Sequence, residues 1–194
     1  KQRSSNKAVF LKNAVVVALA DDQGDRAREV LDSAYRCNIS TSKIDELELD
    51  ILEYEIEKKN WSSALKQIEK LSSSKKIYAK LIHPLGRIRN AYLAAGRVSN
   101  ARNIERDILR YYSKVRNKKS FELEALDEVA MIKIDNVERR VKQFKNIELA
   151  FPDKKFNGLL QKKFLALDGL TAEAVKTMDI GSGKGIVKSY KILI

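Results

Sequence analysis

The sequence predicts an all-α fold, a solenoid of stacked antiparallel helix hairpins, and three observations lead there. The chain of 194 residues holds only 2 prolines and 8 glycines. That is too few for a many-turned β architecture, which needs turn residues about every 8–12 positions. Apolar residues make up 44% of the chain, enough to build a core and more than a disordered polypeptide carries. The third observation is a recurrence. Ala27, Ala64 and Ala101 lie 37 residues apart, and Val137 and Ala174 continue the series after 36 and 37 more.

The elements follow from that phase. Ala27, Ala64 and Ala101 each sit just inside a helical pattern that opens after a break: Gly24-Asp25-Arg26-Ala27, Asn60-Trp61-Ser62-Ser63-Ala64 and Arg97-Val98-Ser99-Asn100-Ala101. Four residues beyond each phase mark come Leu31, Ile68, Glu105, Val141 and Met178. Seven beyond come Ala34, Leu71, Ile108, Phe144 and Gly181. The i, i+4, i+7 spacing places these on one helix face, with Glu105 and Gly181 interrupting it. The preceding stretches 8–19, 44–58, 84–95, 121–133 and 156–167 supply a first helix for each unit. The predicted units are therefore about five hairpins at 8–40, 44–74, 84–116, 121–150 and 156–180, with a last helix from Lys184. One hairpin cannot bury its apolar face alone, so neighbours stack into a continuous core. Residues 1–194 read as a single helical-repeat domain. Its apolar finish, Tyr190-Lys191-Ile192-Leu193-Ile194, carries no capping residue and gives the expectation of a fragment of a longer chain.

The stretch Asn90-Ala91-Tyr92-Leu93-Ala94-Ala95-Gly96-Arg97-Val98-Ser99-Asn100-Ala101 resembles the middle of a tetratricopeptide repeat. That family shows a tyrosine in helix A, a glycine closing it, an apolar residue two later and an alanine opening helix B; Tyr92, Gly96, Val98 and Ala101 match. In the second unit Trp61 and Ala64 match while Lys59 replaces the glycine. Arg89 stands where the family has a glycine early in helix A, and the period exceeds the family's ~34 residues. The resemblance is thus to a divergent, tetratricopeptide-like member and implies a right-handed solenoid. Phe151-Pro152-Asp153-Lys154-Lys155-Phe156 looks like the connector of bacterial envelope-associated members, which implies a soluble protein of the bacterial periplasm or cytoplasm. In physical terms Pro152 bars helix continuation and Asp153 can cap the next helix.

Charge is unevenly spread over a net +12. Seven acids, Asp45, Glu46, Glu48, Asp50, Glu53, Glu55 and Glu57, crowd the helix of the second unit with no base among them. Thirteen bases lie between Lys75 and Lys119, opposed only by Glu105 and Asp107, which places nearly all of the excess there. Arg102, Arg106 and Arg110 fall at i, i+4, i+8 and form a stripe ending at Tyr111 and Tyr112. Together with Arg87 and Arg89 they form the candidate binding patch. A basic helix with nearby aromatics suits an acidic protein or phosphates; the alternative is a solvated face balanced by the acidic helix of the preceding repeat.

Catalytic chemistry finds little support. Gly181-Ser182-Gly183-Lys184-Gly185 lacks the Ser/Thr, the first glycine (Met178 stands there) and the preceding strand of a phosphate-binding loop, and reads as an inter-helix turn. One histidine, His83, and one cysteine, Cys37, make a zinc site improbable; Cys37 reads as a small buried hydrophobe on a helix. His83 precedes Pro84 and is expected at a helix entrance. Trp61 and Tyr92 are expected in the core. Acid pairs such as Glu122/Glu124 or Asp127/Glu128 have no distinguishing context. No apolar run approaches a membrane span.

The expectation is a non-enzymatic protein-interaction scaffold or adaptor without metal or cofactor. It would take a peptide or partner protein, acidic in character, within a larger assembly. The alternative is an RNA-binding helical-repeat module, although no recurring polar pair is placed to read bases.

Overall fold

In the computed structural model, residues 2–37, 39–149 and 156–194 are described, with side chains from residue 6. Every regular element among them is helical: α1 Gln2–Ala20, α2 Gly24–Arg36, α3 Thr41–Glu57, α4 Trp61–Leu71, α5 Tyr78–Ala94, α6 Val98–Lys114, α7 Leu123–Lys145, α8 Phe156–Met178 and α9 Gly183–Leu193. Single 3-10 turns, Lys75–Ile77 and Lys118–Ser120, precede α5 and α7. The chain divides into two compact units, Lys1–Arg106 and Asp107–Ile194, with the boundary inside α6.

In the first unit the sequence period becomes a repeated backbone geometry. Asp22, Lys59 and Gly96 are 37 residues apart, and each has a left-handed backbone, with φ of 60°, 60° and 71°. At all three turns the next residue donates its N–H back across the turn, Gln23 to Ala18, Asn60 to Glu55 and Arg97 to Tyr92, each at 2.8 Å. The left-handed residue itself donates to the carbonyl three before it, Leu19, Ile56 or Leu93. This pair of bonds satisfies carbonyls that a helix end would leave orphaned. Only Gly96 adopts the left-handed backbone without a Cβ penalty. The same turn is therefore built three times from different residues.

The first two turns each join a packed helix hairpin, α1 with α2 and α3 with α4, and the third links α5 to α6. α1 packs on α2 and α3, and α3 packs on α2, α4 and α5. The phase residues Ala27, Ala64 and Ala101 are all 0% exposed, as expected for small side chains where two helices approach closely. The core of the first hairpin gathers Val15, Ala18, Ala27, Leu31 and Ala34 with Ile44, Leu47 and Ile51 from α3.

Helix α5 departs from expectation. It begins at Tyr78, so His83 and Pro84 lie inside it and not at its entrance. An interior proline forfeits one backbone bond, but Leu81, Ile82, Pro84 and Leu85 are all buried, and that packing holds the helix through the defect.

The second unit corrects the predicted hairpins at 121–150 and 156–180. α7 and α8 run unbroken for 23 residues each. Val137 and Ala174 are buried, 1% and 0% exposed, so the phase does mark core positions. What is missing is a turn. No residue near 134–136 takes a positive φ, and Ile134 is itself fully buried, so a break there would expose core. Gly169 stays helical in α8 beside the buried Leu170; glycine alone costs a helix only about 1 kcal/mol. α7, α8 and α9 pack on one another. Arg140 of α7 pairs with Glu173 of α8. α9 approaches α7 so closely that a Cβ on Gly185 would lie 2.7 Å from that of Ala130.

Candidate functional site

The seven acids of α3 are largely used inside the first unit. Glu55, 1% exposed, takes the guanidinium of Arg28 from α2. Glu48, 3% exposed, accepts the Tyr35 hydroxyl and pairs with Lys70 of α4 at 2.8 Å. Glu46 takes Lys43 at 2.9 Å and lies 3.8 Å from Lys12. Glu53 pairs with Arg87 of α5 at 2.7 Å. Burial also pushes the carboxyl of Asp50 above its ordinary value, and one of its oxygens is buried without a hydrogen-bond partner. The helix that looked like an acidic surface is thus a seam between neighbouring helices.

The five candidate arginines separate accordingly. Arg87 is half-exposed and neutralised by Glu53. Arg89 is 5% exposed and its Nε donates to Glu105 at 2.8 Å, so this guanidinium is a strut between α5 and α6. Arg110, in the second unit, pairs with Asp107 at 2.7 Å and lies over the Tyr111 ring. Arg102 and Arg106 are exposed on α6, and Arg106 donates to the neutral Asn103 side chain. The first unit therefore brings Arg102 and Arg106 to the surface on one helix face and keeps Arg89 inside.

The Arg89–Glu105 pair also explains the interruption seen at Glu105. One period earlier the same two positions are Leu52 and Ile68, and two periods earlier Val15 and Leu31, all buried. An ion pair has replaced an apolar pair. The signal was legible as two coincident departures from the phase, one acidic and one basic.

The aromatic residues at the end of the stripe serve packing. Tyr111 is 4% exposed, and Tyr112 lies 5.1 Å from Phe121 with the Lys118 ammonium 3.9 Å from its ring centre. Burial pushes the Tyr112 phenol up, and burial together with Lys133 pushes the Lys118 ammonium down.

Gly181–Gly185 is the start of α9, reached through the left-handed Gly181 at φ 85°. Ser182 caps the helix by accepting the Gly185 N–H at 2.9 Å and donates its own hydroxyl to Asp127 of α7 at 2.6 Å. Lys184 reaches the other oxygen of Asp127 at 2.9 Å. A carboxylate of the chain thus occupies the place beside the helix start where an anion would sit. Burial raises the Asp127 carboxyl, but the hydroxyl and the ammonium outweigh it and hold the group below its usual range.

Cys37 is exposed at the end of α2, where a buried position was expected, because the helix stops at Arg36. Tyr92 is buried at 9% exposed, whereas Trp61 is only partly covered. The connector 151–155 lies outside the described residues. Among the described residues no group of three His, Cys, Asp or Glu could hold a metal ion, and no helix is long and apolar enough to cross a membrane. Comparison of the chain with protein-family models, curated proteins and solved structures finds no match.

Proposed function

We propose that the chain is a tetratricopeptide-like, right-handed helical-repeat scaffold whose central hairpins take an acidic peptide or partner protein. The observation that carries this reading is the asymmetry of charge satisfaction in the first unit. The acids Glu46, Glu48, Glu53 and Glu55 are ion-paired with neighbouring side chains, while Arg102 and Arg106 stand exposed on α6 and no carboxylate among the described residues pairs with them. Four of the seven α3 acids are drawn into ion pairs within the unit, and the two exposed arginines of α6 are left to meet a partner. Hairpins that repeat one turn geometry also stack naturally, and stacking yields the extended surface on which such proteins hold peptides.

The test is binding of a glutamate-rich peptide and of single-stranded RNA, each over a salt series. Peptide binding that weakens with salt, and that weakens further in an Arg102→Ala/Arg106→Ala variant, supports the scaffold. RNA binding with a steep salt dependence and no peptide binding would replace it with the nucleic-acid reading.

A further inference from the structure

The three turns of the first unit are the same in backbone but not in what covers them. At the first, Tyr54 at the end of α3 lies over Gly24 so closely that a Cβ on the glycine would sit 2.7 Å from the ring. Its hydroxyl donates to Asp22 at 2.7 Å, and Lys58 pairs with the same carboxylate at 2.6 Å. Arg28 crosses to Glu55. The junction between the first two hairpins is clasped by the chain's own side chains.

One period later every member of that clasp is changed. Tyr54 becomes Ala91, Lys58 becomes Ala95, Asp22 becomes Lys59, Arg28 becomes Leu65 and Glu55 becomes Tyr92. The aromatic ring has moved across the junction, because Gly24 becomes Trp61. The polar clasp has no counterpart, since two alanines cannot reach across and a lysine has replaced the carboxylate they would have met. What results is an open cleft of about 860 Å³ along α4, walled by Trp61, Leu65 and Tyr92 and rimmed by Lys59, Lys66 and Arg97. Glu69 is the one acid in its lining. Among the described residues no carboxylate pairs with any of the three cations, whereas Lys58 and Arg28 at the first junction are both paired.

From this divergence we infer that the Trp61 cleft is a binding site for an acidic peptide segment carrying an apolar or aromatic side chain. The side chain lies against Trp61, Leu65 and Tyr92. Its flanking carboxylates meet Lys59, Lys66 and Arg97, supplying the charge that Asp22 and Glu55 supply internally at the first junction. Aromatic walls with a charged rim give both the desolvated contact and the selection that a peptide site needs. The inference rests on the scaffold reading and adds to it a location and an anchor, distinct from Arg102 and Arg106.

Trp61 is the only tryptophan in the chain, so its emission reports on this cleft alone. The full chain is titrated with a peptide of two phenylalanines set among glutamates, with excitation selective for tryptophan. Binding is followed in parallel by the anisotropy of a labelled copy. The expected result is a blue shift of Trp61 emission that saturates with the anisotropy and is absent for the peptide with lysine in place of glutamate. Lys59→Asn, Lys66→Gln and Arg97→Gln should each weaken affinity about two- to fivefold, and more than tenfold in combination; asparagine at 59 keeps a side chain that tolerates the left-handed backbone. A circular dichroism spectrum matching the parent's checks that the variants fold. Anisotropy without an emission shift, and with unchanged affinity in the triple variant, overturns the cleft and leaves the scaffold standing. Equal response to the lysine peptide overturns the charge argument. A response to single-stranded RNA alone overturns the peptide. No binding by either readout removes both the cleft and the scaffold.

Discussion

Removing either member of the Arg89–Glu105 pair should damage the first unit far more than removing both. The side chains are 6% and 14% exposed and 2.8 Å apart, so the pair is desolvated on both sides. Breaking such a pair strands a charge away from water and typically costs about 3–5 kcal/mol. Against a total stability on the order of 5–15 kcal/mol, that is enough to lower a urea midpoint steeply. Replacing both residues with apolar ones of similar size should be neutral or stabilising by up to about 4 kcal/mol. The chain supplies the precedent, because Leu52 and Ile68 fill the same positions one period earlier. The experiment is a double-mutant cycle of Arg89→Leu, Glu105→Ile and the pair, unfolded in urea with circular dichroism and Trp61 emission as independent probes. Arg89 also donates to Asn90 at 3.2 Å, so its single variant should be the worse of the two. The reasoning fails if the single costs simply add in the double variant, or if each single costs less than about 1 kcal/mol. In either case the two positions would not be equivalent to the apolar pairs, and the phase assigned to α5 and α6 would be wrong.

Three further outcomes are expected from the fold. Ala101→Leu should overpack the 0%-exposed site at the start of α6 and cost about 1–3 kcal/mol, read as a lower urea midpoint; an unchanged midpoint would contradict the register. Lys59→Gly should relieve the left-handed backbone and raise stability by up to about 1 kcal/mol, read as a higher urea midpoint, while weakening binding of the acidic peptide; loss of stability would mean that the Lys59 side chain itself supports the turn. Asp127→Asn should reduce stability near neutral pH by about 1 kcal/mol. Because folding lowers the Asp127 carboxyl below its ordinary 3.8, this contribution is present above that value and fades as pH falls through and below it. Parent and variant should therefore converge in acid, and a difference that persists at pH 2 would refute the assignment.

The helical class and the first two hairpins were legible because two signals coincided. Alanines at 27, 64 and 101 recur where turns also recur, and a strongly local pattern of this kind survives tertiary packing. Beyond residue 120 only one signal persisted. Val137 and Ala174 keep the apolar phase, but among the described residues beyond 120 only Gly181, after α8 has ended, takes the left-handed backbone that Asp22, Lys59 and Gly96 supply, and none does so ahead of Val137 or Ala174. A period of buried positions fixes which face of a helix is inside and does not fix where the helix ends. Asp22 carries no mark of a turn residue, and only the repeat register places Lys59 at the turn, since neither is a glycine. The candidate site was legible only as a total. Composition located the bases in the third hairpin, but whether each is free depends on partners from other helices, such as Glu53 for Arg87.

That dependence suggests how a repeat array acquires a site. Identical hairpins would carry identical junctions, each closed by its own clasp, and would present a uniform surface. Here the first junction is closed by Tyr54, Lys58 and Asp22, while the second has given up those three groups together. Loss of one member alone would have left a buried or unpaired partner: Asp22 without Lys58, or a phenol without its acceptor. Loss of all three leaves a half-covered Trp61 beside Tyr92 and, at the rim, cations that no carboxylate among the described residues pairs. The same logic governs Arg89 and Glu105, where both members of an apolar pair changed together. Departures from the repeat that occur as complementary sets are the ones the fold tolerates. A set that ends in an open, charged cleft, and not in a closed internal pair, is where the proposal places the partner.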